Sequence, residues 1–108
     1  MKNGKQTQAP EPPEHFSDRA KALWIELVRH RCDSVERQVL LRYALEDLDR
    51  ADRLREQITR DGETVVSKRS GLARLNPALK VEAEARRRFF SAWKALALTW
   101  PARVGFHP

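Results

Sequence analysis

Cysteine, histidine and aromatic residues are scarce in this chain of 108 residues. Cys32 is the only cysteine, so an intramolecular disulfide and a zinc site built from several cysteines are excluded. The three histidines stand apart from any serine, cysteine or carboxylate pattern that would activate a nucleophile. We therefore expect no catalytic residues, no metal site, no cofactor and no enzymatic activity.

Long apolar runs and nucleotide-binding glycine loops are missing as well. No stretch approaches the ~18 apolar residues of a membrane-spanning helix, and residues 1–13 contain no apolar signal-peptide segment. Gly62 and Gly71 stand alone, outside the glycine-rich patterns that hold phosphates. These absences predict a cytoplasmic protein with no membrane partner.

Positive charge is in excess, and it lies in one half of the chain. Lys and Arg number 21 against 15 Asp and Glu, a net charge of +6. Residues 1–61 hold 12 of each sign, whereas residues 62–108 hold 9 basic and 3 acidic residues. Such a basic half is typical of a protein that contacts a polyanion. The residues predicted to bind DNA are Lys68, Arg69, Arg74, Lys80, Arg86, Arg87 and Arg88.

Apolar periodicity predicts three helices, over about residues 18–30, 34–60 and 77–97. Their predicted start signals are Ser17, Asp33 and Asn76-Pro77, and Gly62 ends the second helix. The Thr- and Val-containing segment 63–75 has β-like chemistry.

These elements predict an all-α fold. We expect a three-helix domain over residues 15–99, in which the second and third helices form a long antiparallel hairpin joined by a short β-like loop. Residues 1–14 are predicted to be a flexible tail, because they are polar and proline-rich, and residues 100–108 an irregular tail.

The second helix is long for so small a domain. It would extend about 40 Å, against a radius of gyration of about 13 Å for a compact domain of this size. It is therefore expected to overhang the rest of a monomer, unless an elongated helical hairpin covers it. Its predicted inward stripe consists of Leu40, Ala44, Leu48, Ala51, Leu54 and Ile58, and it is widened by Val39, Leu41 and Tyr43. Val39 and Tyr43, beside Leu40, form a predicted oligomer interface.

Other conspicuous residues have structural explanations. The acids at positions 46, 47, 49 and 52 alternate with arginines at 50, 53 and 55, which is typical of a solvated, ion-paired helix face. Trp24 and Trp93 fall on apolar helical faces and are predicted core residues, and Cys32 is predicted to be an inert small residue. Trp100 lies outside the periodic segments, so a contact with a partner stays open.

Six short features follow one another in a distinctive order across residues 13–103. After a proline-rich start come a small residue four positions before a tryptophan, an acidic start to a long helix, and an aromatic-small pair within it. A Gly-Val segment, an Asn-Pro-Ala step and a Leu-x-Leu-Thr ending follow. These features are Ala20 to Trp24, Asp33-Ser34, Tyr43-Ala44, Gly62 to Val66, Asn76-Pro77-Ala78 and Leu96-Ala97-Leu98-Thr99.

This order resembles the small subunit of phage DNA-packaging terminases, in the class that accompanies siphophage-type large subunits. The resemblance implies a nonenzymatic subunit in the bacterial host cytoplasm that assembles into a homo-oligomeric ring, binds double-stranded viral DNA and delivers it to the large terminase subunit. The large subunit carries the ATPase and nuclease. The chain departs from the family in having Ala97 where a glycine is usual and Trp100 before Pro101.

Other functions remain open from the residues alone. The first two helices and the short turn at Cys32 are similar in outline to a helix-turn-helix, which would make the chain a DNA-binding regulator of a phage or mobile element. Alternatively, the basic face docks on an acidic protein, or it is simply solvated. A regulator predicts a dimer and a short palindromic site, whereas a terminase subunit predicts a larger closed assembly.

Overall fold

The computed structural model describes residues 10–101 and has three helices and a two-stranded sheet. Helix α1 spans Asp18–His30, α2 spans Val35–Asp61 and α3 spans Ala78–Ala95. Between α2 and α3, strands β1 (Thr64–Val66) and β2 (Ala73–Leu75) pair antiparallel. The predicted all-α class, with a β-like loop between the second and third helices, is confirmed.

The starts of the first two helices are set by serine side chains. Ser17 Oγ accepts a hydrogen bond from the Ala20 amide at 3.1 Å, as the sequence predicts. Ser34 Oγ accepts from the Arg37 amide at 3.2 Å, so the prediction that Asp33 caps α2 is wrong by one residue. Ser34 has the extended backbone of an N-cap, which places its hydroxyl over the first turn.

Asn76 ties the two ends of the β segment together and begins α3. Its side-chain amide donates to the Gly62 carbonyl at 2.9 Å, and its Oδ1 accepts from the Ala78 amide at 3.0 Å. Its own amide donates to the Glu63 carbonyl at 2.8 Å. The buried Asn76 therefore fixes the direction in which the chain enters α3.

Helix α3 ends two residues before the predicted position 97, in a left-handed turn at Ala97. The φ of Ala97 is 55°, its amide donates to Lys94 O at 2.9 Å, and the Leu98 amide donates to Trp93 O at 3.2 Å. This is the Schellman arrangement, in which glycine is usual because a Cβ is disfavoured at positive φ. Leu98 is buried, as the accompanying apolar contact requires.

The main core lies where all three helices meet. Phe89 of α3 is fully buried, with its ring centroid 5.2 Å from that of Trp93. Burial of each large apolar side chain here stabilises the fold by about 1.5–3 kcal/mol. The core residues on the other two helices are Ala20, Leu23, Trp24, Leu27, Val28, Leu41, Ala44, Leu45 and Leu48.

The inward stripe of α2 is rotated from the predicted one. Leu41 is fully buried, whereas Leu40 is 44% exposed, so the placement of Leu40 in the core is wrong. Helices α1 and α3 both pack against α2. The buried arc is consequently centred between them: it adds Leu41 and Leu45 to Ala44, Leu48, Ala51 and Ile58 of the predicted stripe, and leaves Leu40 outside.

Helix α3 follows α2 along most of its length, so the elongated hairpin is correct and the overhang is not. Near one end, the Arg37 guanidinium donates to the Leu96 carbonyl. Near the other, Arg55 donates to Glu82 through two hydrogen bonds of 2.7 and 3.2 Å. Helix α1 reaches only as far as Asp52, to which Arg19 donates at 3.1 Å. Beyond that point α2 and α3 pack without a third helix.

Both segments next to the domain contact it within the described residues. The Pro10 carbonyl accepts a hydrogen bond from Trp24 Nε1 at 2.8 Å. Trp100, left open by the sequence, is partly buried with its ring 5.5 Å from that of Trp93. The Arg19 guanidinium lies 5.1 Å from the centroid of the Trp100 ring, within cation–π range. Trp100 therefore packs against the helical core.

Candidate nucleic-acid interface

The β hairpin stands away from the helices. Thr64 pairs with Leu75 and Val66 with Ala73, so these four side chains share one face of the ribbon, and all four are exposed. At the turn, the Ser67 carbonyl accepts from the Gly71 amide at 2.8 Å, and Gly71 has a φ of 73° that favours glycine. A two-stranded ribbon alone is marginal in water, so this one depends on its anchorage to Asn76.

The three basic residues of this segment are exposed. Lys68 and Arg69 lie in the turn, and Arg74 lies on β2 opposite Val65. Within residues 10–101 none of the three has an acidic side chain in ion-pairing range. The hairpin therefore presents three cations whose donors are available to an external anion.

The arginine triplet on α3 does not form one cluster. Arg86 is bound to Glu82 at 3.0 Å and lies 3.6 Å from an Asp52 oxygen, and it is largely buried. Arg88 donates to Asp47 at 3.2 Å. Arg87 alone is exposed without an acidic partner in the described chain, and it lies on the outer face of α3 with Lys80, seven positions earlier. Among the residues predicted to contact DNA, Arg86 and Arg88 thus form ion pairs that join α3 to α2.

The acidic residues in the middle of α2 face the other helices. Asp49 is buried and accepts from the Ser17 amide at 2.9 Å and the Ser17 hydroxyl at 2.6 Å. Asp47 and Asp52 pair with α3, and Asp52 also pairs with Arg19 of α1. The prediction of an ion-paired face within α2 is therefore wrong for most of these residues. Only Arg42 and Glu46 form such a pair there, at 3.3 Å.

This arrangement leaves basic residues that the sequence analysis missed. Arg50 and Arg53 are exposed, with no acidic partner in the part of the chain that the structure describes. They line a shallow groove with Arg60 and the apolar side chains of Leu54 and Val81. Their spacing of three and seven positions, which places them on one helical face, is the signal that could have found them.

Glu82 is the buried acid that joins the two long helices near the hairpin. Burial of its carboxyl would raise the pKa, but hydrogen bonds from Arg55 and Arg86, together with the charges of these residues, outweigh that effect. The pKa of Glu82 therefore lies below the ordinary value of 4.5. A group of this kind stabilises the fold above its unfolded-state pKa and stops doing so as pH falls through its folded-state pKa.

Replacing Glu82 by glutamine should reduce acid sensitivity. We expect E82Q to lower the free energy of unfolding at pH 7 by about 1–3 kcal/mol, because two charge-assisted interactions are lost. Because the variant has no carboxylate to protonate there, it should lose less further stability than the wild type between pH 7 and about pH 3. Urea denaturation at both pH values measures the free energy of unfolding of each protein. E84Q, a nearby acid on α3, is the control, and equal acid losses in E82Q and wild type would contradict the assignment.

The predicted oligomer residues lie on the surface. Tyr43 is 61% exposed and Val39 is 48% exposed, next to the exposed Leu40 and Val35. Val39 also borders a groove formed with Trp24 and the Pro10–Pro13 segment. Val39, near the centre of this apolar patch, lies 22 residues before Asp61, or about 33 Å along α2 from the end of the helix that precedes the β hairpin. The basic segment and the apolar patch are therefore well separated.

Features of other kinds of site are absent from residues 10–101. There is no group of three or more histidine, cysteine or acidic residues that could hold a metal ion, and no helix there is long and apolar enough to cross a membrane. Cys32 is buried, and desolvation raises the pKa of its thiol even though the Arg37 charge opposes this. No family model, curated protein or solved structure matches this chain.

Proposed function

We propose that this protein is a nonenzymatic DNA-binding subunit of the small-terminase type, which binds double-stranded viral DNA in the bacterial host cytoplasm and delivers it to a large ATPase and nuclease subunit. The observation that carries the proposal is the set of exposed cations on the β hairpin and on the outer face of α3 that have no acidic partner among the described residues. These are Lys68, Arg69, Arg74, Lys80 and Arg87.

Exposed, unpaired cations suit phosphate contacts. A phosphate-binding surface needs several cations that can displace condensed counterions, without a strict spacing. Lys68, Arg69 and Arg74 meet this need because no internal carboxylate competes for their donors among the described residues. Five such contacts per chain give modest affinity, which several copies on one DNA would multiply through effective concentration.

Binding to duplex DNA across a salt series tests the proposal. With five phosphate contacts, the logarithm of the binding constant should fall with the logarithm of salt concentration with a slope of about −4 to −5 per chain. Fluorescence anisotropy with a labelled duplex of about 30 base pairs measures the slope. A polyglutamate chain is the competitor that represents acidic proteins. Absence of DNA binding, or displacement of DNA by polyglutamate at equal charge concentration, would contradict the proposal.

Self-association through the apolar patch is the second part of the proposal. Val39 and Tyr43, with Leu40, expose apolar surface on a rigid helix, and burial against another copy would remove it from water. A closed assembly with a sharply defined mass is expected, whereas a monomer or dimer would favour the regulator. A ring would place several basic hairpins on one DNA.

Charge placed on that patch should break the assembly. We expect the double substitution V39D/Y43D to reduce the solution mass towards that of one chain, because a carboxylate buried at an interface without a partner is strongly disfavoured. Light scattering coupled to size-exclusion chromatography measures the mass. The control is I25D, which changes an exposed apolar residue of α1 outside the patch. An assembly that persists in V39D/Y43D but not in I25D would place the interface on α1 instead.

The start of α2 is poorly suited to read DNA as a recognition helix. Its exposed residues there are Val35, Glu36 and Val39, and the Arg37 guanidinium donates to the carbonyls of Arg31 and Leu96. The first turn thus offers an acid and apolar groups to a phosphate backbone. A dimer that binds one short palindromic site would instead support the function of a DNA-binding regulator.

A further inference from the structure

We propose that the outer face of α2 near its C-terminal end is a second phosphate-binding surface, in which Arg50 and Arg53, with Arg60, contact the sugar-phosphate backbone of a nucleic acid. This inference rests on the proposed DNA-binding function. It adds contacts on a helix to those of the β hairpin.

The first observation is that the nearby acids are already engaged. Asp49 binds the amide and hydroxyl of Ser17, and Asp52 is shared between Arg19 and Arg86. Asp47 pairs with Arg88. These acids bind groups on α1 and α3, so they do not neutralise the arginines of α2. The outer face of α2 is therefore basic.

The second observation is that three arginines share a groove. Arg50, Arg53 and Arg60 line it together with Gln57, above an apolar floor that includes Leu54 and Val81. Glu56 is the one acid of the lining, and the Arg60 guanidinium lies 3.9 Å from an Asp61 carboxylate oxygen. Arg50 and Arg53 consequently contribute the net positive charge of this surface.

The third observation is the match in length. Arg50 and Arg60 are ten positions apart, about 15 Å along the helix axis. One strand carries a phosphate for about every 3.4 Å of duplex axis, so a strand that runs along this surface presents more than one phosphate to the arginines. Guanidinium groups are suited to such a ligand, since their planar donors form bidentate hydrogen bonds with phosphate oxygens.

The surface also lies toward the basic hairpin. Arg60 is followed within two residues by Gly62, where α2 ends, and β1 begins at Thr64. The surface and the β hairpin are therefore adjacent along the chain at this end of α2. Helix α1 contacts α2 as far as Asp52 but leaves the side chains of Arg50 and Arg53 exposed.

The test compares two double variants of the full chain that remove the same charge. R50A/R53A should reduce the magnitude of the salt slope for duplex binding by up to about 1.8, and K21A/R29A, which removes two cations of α1, should leave it unchanged. R50K/R53K should have the wild-type salt slope, because lysine carries the positive charge that a phosphate contact requires. Urea midpoints equal to that of the wild type confirm that the variants fold.

The possible failures are distinguishable. If the wild type shows no salt-dependent DNA binding, the proposed function is overturned along with this inference. If the wild type binds and R50A/R53A retains the full slope, only the second surface is overturned. Equal reductions in R50A/R53A and K21A/R29A would also overturn it, since the effect would then be one of net charge and not of location.

Discussion

We expect replacement of Phe89 by alanine to lower the free energy of unfolding by about 3–5 kcal/mol. Phe89 has no exposed surface and lies where α1, α2 and α3 converge. Removing its ring leaves a cavity between three helices whose backbones are held by Asp49 and Glu82, so the site cannot collapse to fill it. Urea denaturation followed by circular dichroism measures the loss.

The neighbouring residue provides a matched control. Phe90 has the same side chain and is 47% exposed, so F90A should cost about 1 kcal/mol or less, chiefly through loss of its edge contact with Phe89. The difference between two adjacent phenylalanines isolates burial from residue type and helix propensity. Equal losses in F89A and F90A would mean that α3 is rotated from the orientation described above.

Removing the three cations of the β hairpin should have the largest effect on DNA binding. We expect K68A/R69A/R74A to weaken duplex binding roughly 100-fold at about 50 mM salt and to reduce the magnitude of the salt slope by up to about 2.7. The physical reason is that three fewer counterions are released on binding. The loss should be similar for all sequences, because phosphate contacts carry no base information. Anisotropy titrations with two unrelated duplexes measure both quantities.

The control for this variant is K21A/R29A/K94A, which removes three cations of α1 and α3 that lie outside the β hairpin. It changes the net charge equally, so it separates local contacts from general attraction. K68A/R69A/R74A should have the same urea midpoint as the wild type, because the three replaced residues are exposed and make no ion pairs among the described residues. A salt slope unaltered in K68A/R69A/R74A would remove the hairpin from the interface.

The helices and their approximate ends could be predicted because their signals are local. Apolar residues three and four positions apart mark α1 and α3, and Ser17 and Gly62 act within one turn of their own position. The one-residue error at Asp33 arose because two consecutive residues can both cap a helix. The end of α3 was misplaced because a left-handed alanine carries no sequence signal of the kind that glycine gives.

The partners of charged residues could not be predicted in the same way. Asp52 has arginines one and three positions away, yet it pairs with Arg19 and Arg86 on other helices. Such pairing depends on how α1 and α3 approach α2, which is a property of tertiary packing and not of spacing. The same packing rotates the buried arc of α2 from Leu40 to Leu41.

For the residues predicted to contact DNA, the fold consequently shows which cations have acidic partners and which do not. The excess of positive charge after Gly62 includes the three cations of the hairpin, which have no acidic partner among residues 10–101. Arg86 and Arg88 satisfy the same sequence criterion but bind acids of α2. Which cations are available is therefore decided by where each carboxylate is engaged, and that requires the fold.

The uneven distribution of the core gives the two ends of the helical hairpin different resistance to local opening. Where α1 is present, large side chains such as Leu45 and Phe89 are buried; beyond Asp52 the buried apolar residues are small, apart from Ile58. Local opening costs less free energy where less apolar surface is buried. The end that carries the basic hairpin is therefore the compliant one, able to adjust to the shape of a bound duplex while the three-helix end keeps the apolar patch rigid.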